Sequence, residues 1–288
     1  LLSAMLSGQT TQADAPAVGK IDPSTAIKDP KAPLLWYNAR SLTIEGKGWT
    51  GTEDFYDRLP AKARGKVTDS VWNQSKSSAG LCVRFVTDSP KICARWVLTS
   101  PNLGREHFAS TGMSGLDLYV RQNGRWQWAG SGIPSGQTTD ATLAEGIPAG
   151  EHEYLLYLPL SNGTKTLEIG ISPESALVNP RPRPGKPICF YGTSIVQGGC
   201  ASRPGMAHVA ILGRKLDVPT TNLGFSGSAR MEPEMAALLA ELDVAAYVLD
   251  CLPNMTAALV SERLGPFVEK LRHARPDTPI ILVENMAH

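Results

Sequence analysis

Three short stretches in the last third of the sequence hold the residue types that acyl transfer needs. "PICFYGTSIVQGG", residues 187–199, runs from apolar residues into Gly192-Thr193-Ser194-Ile195. "NLGFSGSA" carries Gly224 and Gly227, and "DCLPN" ends in Asn254. A serine hydroxyl can attack a carbonyl carbon, and donors fixed where the oxyanion develops stabilise the transition state. Ser194 is the candidate nucleophile. A glycine of the second stretch, Gly224 or Gly227, can bring its N–H close to an oxyanion with no Cβ in the way, and the Asn254 side chain adds an NH₂ donor. The competing structural reading is that Thr193 and Ser194 only cap a following helix.

Each stretch follows an apolar run of strand length. Residues 187–192, "PTTNLGF", "AAYVLDC" and "PIILVE" read as strands, and helical spacing falls between them: "GMAHVAILGRKL", "EPEMAALLAEL", and the apolar series Val260, Leu264, Phe267, Val268 and Leu271. This alternation predicts a parallel sheet with helices on both faces. With a strand order of 2-1-3 the first three strands are neighbours, and their carboxyl ends form one rim, where open α/β sheets bind ligands.

The preceding half has another grammar. Residues 34–175 read as short strands, "LCVRFVT" and "LDLYVRQ" among them, separated by turn clusters such as "QNGR" and "SNGT". That pattern predicts an all-β sandwich, jelly-roll-like. "LCVRFVT" and "ICARWVL" suggest a hairpin around "DSPK" with Cys93 opposite Val86. The prolines after residue 175 mark 176–186 as a linker, with the second domain over 187–288.

Composition sets outer limits. The length of 288 residues suits about two domains, and the net charge of +1 gives no case for a nucleic-acid partner or an anionic membrane. No apolar run reaches the length of a membrane span. Five cysteines, an odd number, argue for free thiols over a disulfide framework. Residues 1–17, with small residues in A-x-A spacing at Ala15-Pro16-Ala17, look like the rear of a secretory signal and suggest a secreted or periplasmic protein.

These blocks resemble those of the SGNH (GDSL-type) hydrolases. Gly192-Thr193-Ser194-Ile195 resembles the first block, with Thr in place of Asp. Asn222 to Gly227 resembles the second, and Leu252-Pro253-Asn254-Met255 the third, with Met255 in place of Asp. Gly115 to Tyr119 resembles the Gly-x-Asp-Leu-Tyr signature of a β-rich domain that precedes one branch of that family. The resemblance implies a three-layer flavodoxin-like second domain and an esterase that uses Ser194 as nucleophile and Ser194, Gly227 and Asn254 as the oxyanion hole. It implies no cofactor and no metal. The expected substrate is a small-molecule or carbohydrate ester, acetyl-like in its acyl part; the alternative is a noncatalytic carbohydrate-binding protein. The family's Asp-x-x-His has no counterpart between 186 and 288, so the general base is expected outside this sequence and the second domain is expected to be truncated.

Other candidates rank lower. "GFSGS" is not G-x-S-x-G, because Ser228 stands where the last glycine belongs. Cys200 has no neighbour in sequence that would lower its pKa. His107 and His152 belong to the β-rich half; His208 reads as packed or exposed, His273 as a helix-end cation, and His288 as a terminal residue too poorly held to serve as a base. All six tryptophans fall in the β-rich half, and Trp126 and Trp128 alternate onto one face, most simply that of the sandwich core.

Overall fold

The computed structural model describes residues 16–285; the segment 1–15 and His288 lie outside the described residues, so the export reading and that histidine's placement have no structural counterpart here. Two antiparallel sheets fill the first half. One has seven strands, with Cys82–Thr87, His152–Tyr157, Leu116–Gln122 and Arg125–Gly132 adjacent in that order; the other has five, centred on Leu35–Asn38, Thr164–Ile171 and Lys91–Leu98. Side chains alternate across a strand. Val83, Phe85, Leu118 and Leu156 of the first sheet therefore meet Ile92, Trp96, Leu167 and Ile169 of the second in one buried core.

The residues between them on the same strands face the other way. Cys82, Tyr119, Leu155 and Tyr157 pack against Ala210, which lies on the helix His208–Leu216 of the second half. The outer face of the seven-stranded sheet is thus a docking surface for the α/β part.

That part is a four-stranded parallel sheet with Thr220–Gly224, Ile188–Gly192, Ala246–Asp250 and Ile280–Leu282 side by side. The three strands expected as neighbours are neighbours. On one face Phe190, Val196 and Val209 pack together. On the other, Tyr191, Leu223 and Tyr247 meet Met235 and Leu239 of the helix Pro233–Leu239 and Phe267 and Leu271 of the helix Ala257–Ala274.

Several expectations need correction. "LCVRFVT" and "ICARWVL" do not pair: the first lies in the seven-stranded sheet and the second in the five-stranded one. Crossing between sheets lets both apolar runs face the common core, whereas a hairpin would put them side by side in one layer. Part of the expected linker is a strand, Leu177–Asn179, paired with Gly19–Lys20 and with Cys82–Thr87. Within the span read as purely β, Leu59, Val67 and Val71 belong to the core of the α/β part, Val71 on a helix, Asp69–Ser75. Trp126 and Trp128 share a face, but it is the docking face: Trp128 is 55% exposed and its indole bonds Asp117.

Candidate functional site

Ser194 is the first residue of a four-residue helix, Ser194–Gln197, at the carboxyl end of a central strand of the parallel sheet. The helix cap is Thr193, whose hydroxyl accepts from the Ile195 N–H, so the cap does not use the Ser194 hydroxyl. As first residue of its helix, Ser194 has an N–H with no acceptor within that helix. The turn is pressed against the neighbouring strand: a Cβ at Gly224 would stand 2.0 Å from the Gln197 nitrogen. Asn222 secures the contact, donating through Nδ2 to the Val196 carbonyl at 2.8 Å while Oδ1 accepts from the Gly224 N–H at 2.9 Å.

A cleft of about 680 Å³ opens over Ser194. Ile195, Gln197, Cys200 and Ser226 line it from the α/β part. Gln74 lines it from the helix Asp69–Ser75, and Ser100, Arg105, His107 and Asn162 line it from the β-rich part. The site is therefore composite, and two buried polar groups hold its halves together.

One is Arg58, fully buried beside the cleft. Its guanidinium donates to the Gln74 carbonyl at 2.8 Å and the Ser77 carbonyl at 3.0 Å on one side, and to the Gly224 carbonyl at 2.7 Å on the other. It also lies over the Phe225 ring, 4.7 Å from the centroid. Burial pushes its pKa down to about 9, which still leaves it charged at neutral pH.

The other is Asp117 of the Gly-x-Asp-Leu-Tyr signature, whose side chain is wholly inaccessible. Its carboxylate accepts from Trp128 Nε1 at 3.0 Å, Arg203 Nε at 3.2 Å and the Gly205 N–H at 3.0 Å. Burial raises its pKa, opposed first by the Arg203 charge; the net position is above the ordinary carboxylate value. A Cβ at Gly205 would meet the Tyr119 ring at 2.3 Å. Leu118 of the signature thus builds the β core while Asp117 and Tyr119 grip the loop that follows the helix Ser194–Gln197.

The oxyanion candidates lie on the same rim, with one difference from expectation. Gly227 has a positive φ of 68°, and Asn254 donates through Nδ2 to the Ser228 carbonyl at 2.7 Å, tying the second and third blocks together. Neither lines the cleft, although Ser226 beside them does. One Asn254 amide proton is therefore committed, leaving the other for a ligand.

Asp250 ends the third strand and accepts the Thr193 N–H on its backbone carbonyl at 3.1 Å. Its carboxyl is raised by burial and pulled down by His208. His208 is lowered by burial against the opposing Asp250 charge, and its ring meets Phe190 edge-on at 6.1 Å, away from the cleft lining. Among the described residues, His107 is the imidazole that lines the cleft. Sequence reasoning set His107 aside with its domain and passed over Arg58 and Arg105. For Arg58 the signal in the sequence is an Asp-Arg pair set between aromatic and apolar residues, "FYDRLP".

The comparisons agree with this architecture. Residues 185–288 match the GDSL-like lipase/acylhydrolase family, and residues 34–177 match the N-terminal domain of SGNH-type esterases. No curated protein matches. Among solved structures, a protein from Bacteroides ovatus described as a GDSL-like lipase is 40% identical, with a TM-score of 0.82 over 86% of this chain and 73% of that one. The salicylyl-acyltransferase SsfX3 of a tetracycline biosynthetic pathway shares the fold at 17% identity, TM-score 0.67, covering 88% and 71% of the two chains. An acetyl xylan esterase from Butyrivibrio proteoclasticus does so at 11% identity, TM-score 0.53, covering 87% and 81%.

Proposed function

The chain belongs to the GDSL-like lipase/acylhydrolase family, and from that premise we propose that it is a serine esterase that removes small, acetyl-like acyl groups from carbohydrate esters. The observation that carries the proposal is the strand-to-helix turn that holds Ser194 at the floor of the composite cleft. Ser194 Oγ attacks the ester carbon, and its proton passes to a base that residues 16–285 do not assign. The carbonyl electron pair moves onto oxygen, where the Ser194 N–H, the Gly227 N–H and the free Asn254 amide proton receive it. Collapse of the tetrahedral intermediate breaks the bond to the alcohol oxygen, which takes the proton from the base. Water then repeats the sequence on the acyl-serine and frees the acid.

The carbohydrate part of the reading is supported by the amide and hydroxyl groups of Gln74, Ser100 and Ser161 along the wall, and by a fold shared with an acetyl xylan esterase. Export, read from residues 1–17, belongs to the same proposal, since polymeric carbohydrate esters lie outside the cytoplasm.

The test uses the full-length protein and an organophosphonate probe. The label should fall on Ser194, and Ser194→Ala should abolish labelling and hydrolysis of p-nitrophenyl acetate with an unchanged melting temperature. Labelling at Ser226 or Cys200, or hydrolysis that survives the substitution, would overturn the assignment.

A further inference from the structure

Two permanent cations, Lys76 and Arg105, border the cleft, and among the described residues no carboxylate lines it. Lys76 is already neutralised, since its ammonium pairs with Asp57 at 2.6 Å and with Glu53 at 3.0 Å. Arg105 differs. It makes no ion pair among the described residues, and its hydrogen bonds are those of its backbone: Arg105 N–H to the Phe108 carbonyl at 2.9 Å and Phe108 N–H to the Arg105 carbonyl at 3.0 Å.

Those two bonds close a tight turn over Glu106 and His107. Phe108 anchors the turn, 5% exposed, in a cluster with Met113 and Leu160 of the β-rich part and Ala207 of the α/β part. The turn is thus fastened at the seam between the β-rich and α/β parts, and it sets the exposed Arg105, which has no ion pair among the described residues, along the same cleft as Ser194. A guanidinium is a planar fork that matches a carboxylate in two parallel hydrogen bonds, and it keeps its charge at any working pH. A small acyl group occupies only the space at the serine, so the rest of the cleft lining faces the alcohol portion of the ester. The volume, about 680 Å³, lies within the roughly 300–1,000 Å³ of sites that enclose a small ligand.

We propose that the cleft selects esters whose alcohol portion carries a carboxylate, namely acylated uronic-acid sugars, with Arg105 receiving the carboxylate while Ser194 faces the ester carbonyl. This inference rests on the esterase reading of Ser194, and its test is built so that the two fail separately. The full-length Ser194→Ala protein, which performs no chemistry, is titrated by calorimetry with an O-acetylated oligogalacturonide and with an acetylated xylo-oligosaccharide of equal length, which is neutral.

The acidic ligand should bind about 10- to 100-fold more tightly, the range expected of a charge-assisted pair. Adding Arg105→Gln should bring the ratio of the two affinities close to one, and Arg105→Lys should recover part of it, since lysine keeps the charge and loses the fork. Equal affinities before the arginine is changed, a preference that survives Arg105→Gln, or failure of both ligands to bind would each overturn the proposal. Absence of Ser194 labelling in the protein that keeps its serine would count against the esterase reading instead, because none of these affinities depends on turnover.

Discussion

Replacing Asp117 with alanine should loosen the seam at the loop that follows Ser194. The side chain is wholly buried, and its removal strands the Gly205 N–H, the Trp128 indole and the Arg203 guanidinium. Breaking a buried pair costs about 3–5 kcal/mol when the surviving charge cannot rehydrate. The Arg203 side chain keeps 28% of its surface in solvent and stacks over Trp128 at 4.9 Å, so the low end applies, about 3 kcal/mol. With an unfolding entropy of ~2.1 cal/mol/K per residue, that corresponds to a melting temperature lower by about 5 °C for a chain of this size. A second effect is local. The Gly199 and Gly198 N–H groups both donate to the Ser194 carbonyl, at 2.8 and 3.1 Å, so slack in the loop reaches Ser194 directly.

Asp117→Asn separates the two effects. It preserves the shape and the acceptor for Trp128 but turns an NH₂ toward the Gly205 N–H, so the loop is repelled while most of the packing stays. Differential scanning calorimetry and the rate of organophosphonate labelling at Ser194, both on full-length protein, provide the measurements. The expected outcome is a small loss of melting temperature and a clear loss of labelling rate for Asn, and a large loss of both for Ala. An Asp117→Ala protein that melts within 1 °C of wild type (about 0.6 kcal/mol on the same entropy scale) and labels at the wild-type rate would refute the argument.

Two further outcomes test the site and its surroundings. Losing one preorganised oxyanion donor costs about 10²–10³ in rate, so Asn254→Ala should lower kcat of the full-length enzyme by that order with little change in KM; normal kcat would return Asn254 to its structural role of holding the Ser228 carbonyl. Burial lowers the His208 pKa below the ordinary 6.5 despite Asp250. Its contribution to stability is therefore present above 6.5 and lost as pH falls through the folded value. His208→Gln should flatten the fall in melting temperature on acidification through that window, and parallel curves for the two proteins would contradict it.

What could be read from the sequence was what local rules govern. The serine turn, the glycine opposite it and the asparagine after the third strand are each specified within a few residues of a strand end, and the parallel order brings them to one rim. What could not be read depends on which face of a strand meets which neighbour. "LCVRFVT" and "ICARWVL" obey the alternation of a hairpin equally well when they lie in different sheets. The helix Asp69–Ser75 carries Val71 and Trp72, and nothing within that stretch says that they fill the core of a sheet more than a hundred residues downstream. Arg105 and His107 reach the cleft only because their turn is fastened at the domain seam. The Gly-x-Asp-Leu-Tyr signature was legible as a pattern, and its role was not. An aspartate between apolar neighbours in a strand announces a second buried face, without saying what covers it.

That second face explains why polar groups sit at the seam. Cys82, Leu155 and Tyr157 against Ala210 provide an apolar contact, which is favourable over a range of small slides because dispersion has little direction. Catalysis tolerates much less, since a displacement of about 1 Å can cost 10²-fold in rate. Hydrogen bonds to fixed backbone groups supply the missing register. Arg58 reaches carbonyls at Gln74 and Ser77 on the cleft wall and at Gly224 against the helix Ser194–Gln197, so one rigid guanidinium spans the wall and the floor. Asp117 does the same with the opposite charge, from the β-rich sheet to the loop behind Ser194. A cleft lined from both the β-rich and the α/β parts keeps its shape only if those parts keep their spacing, and these two buried residues are placed to maintain it.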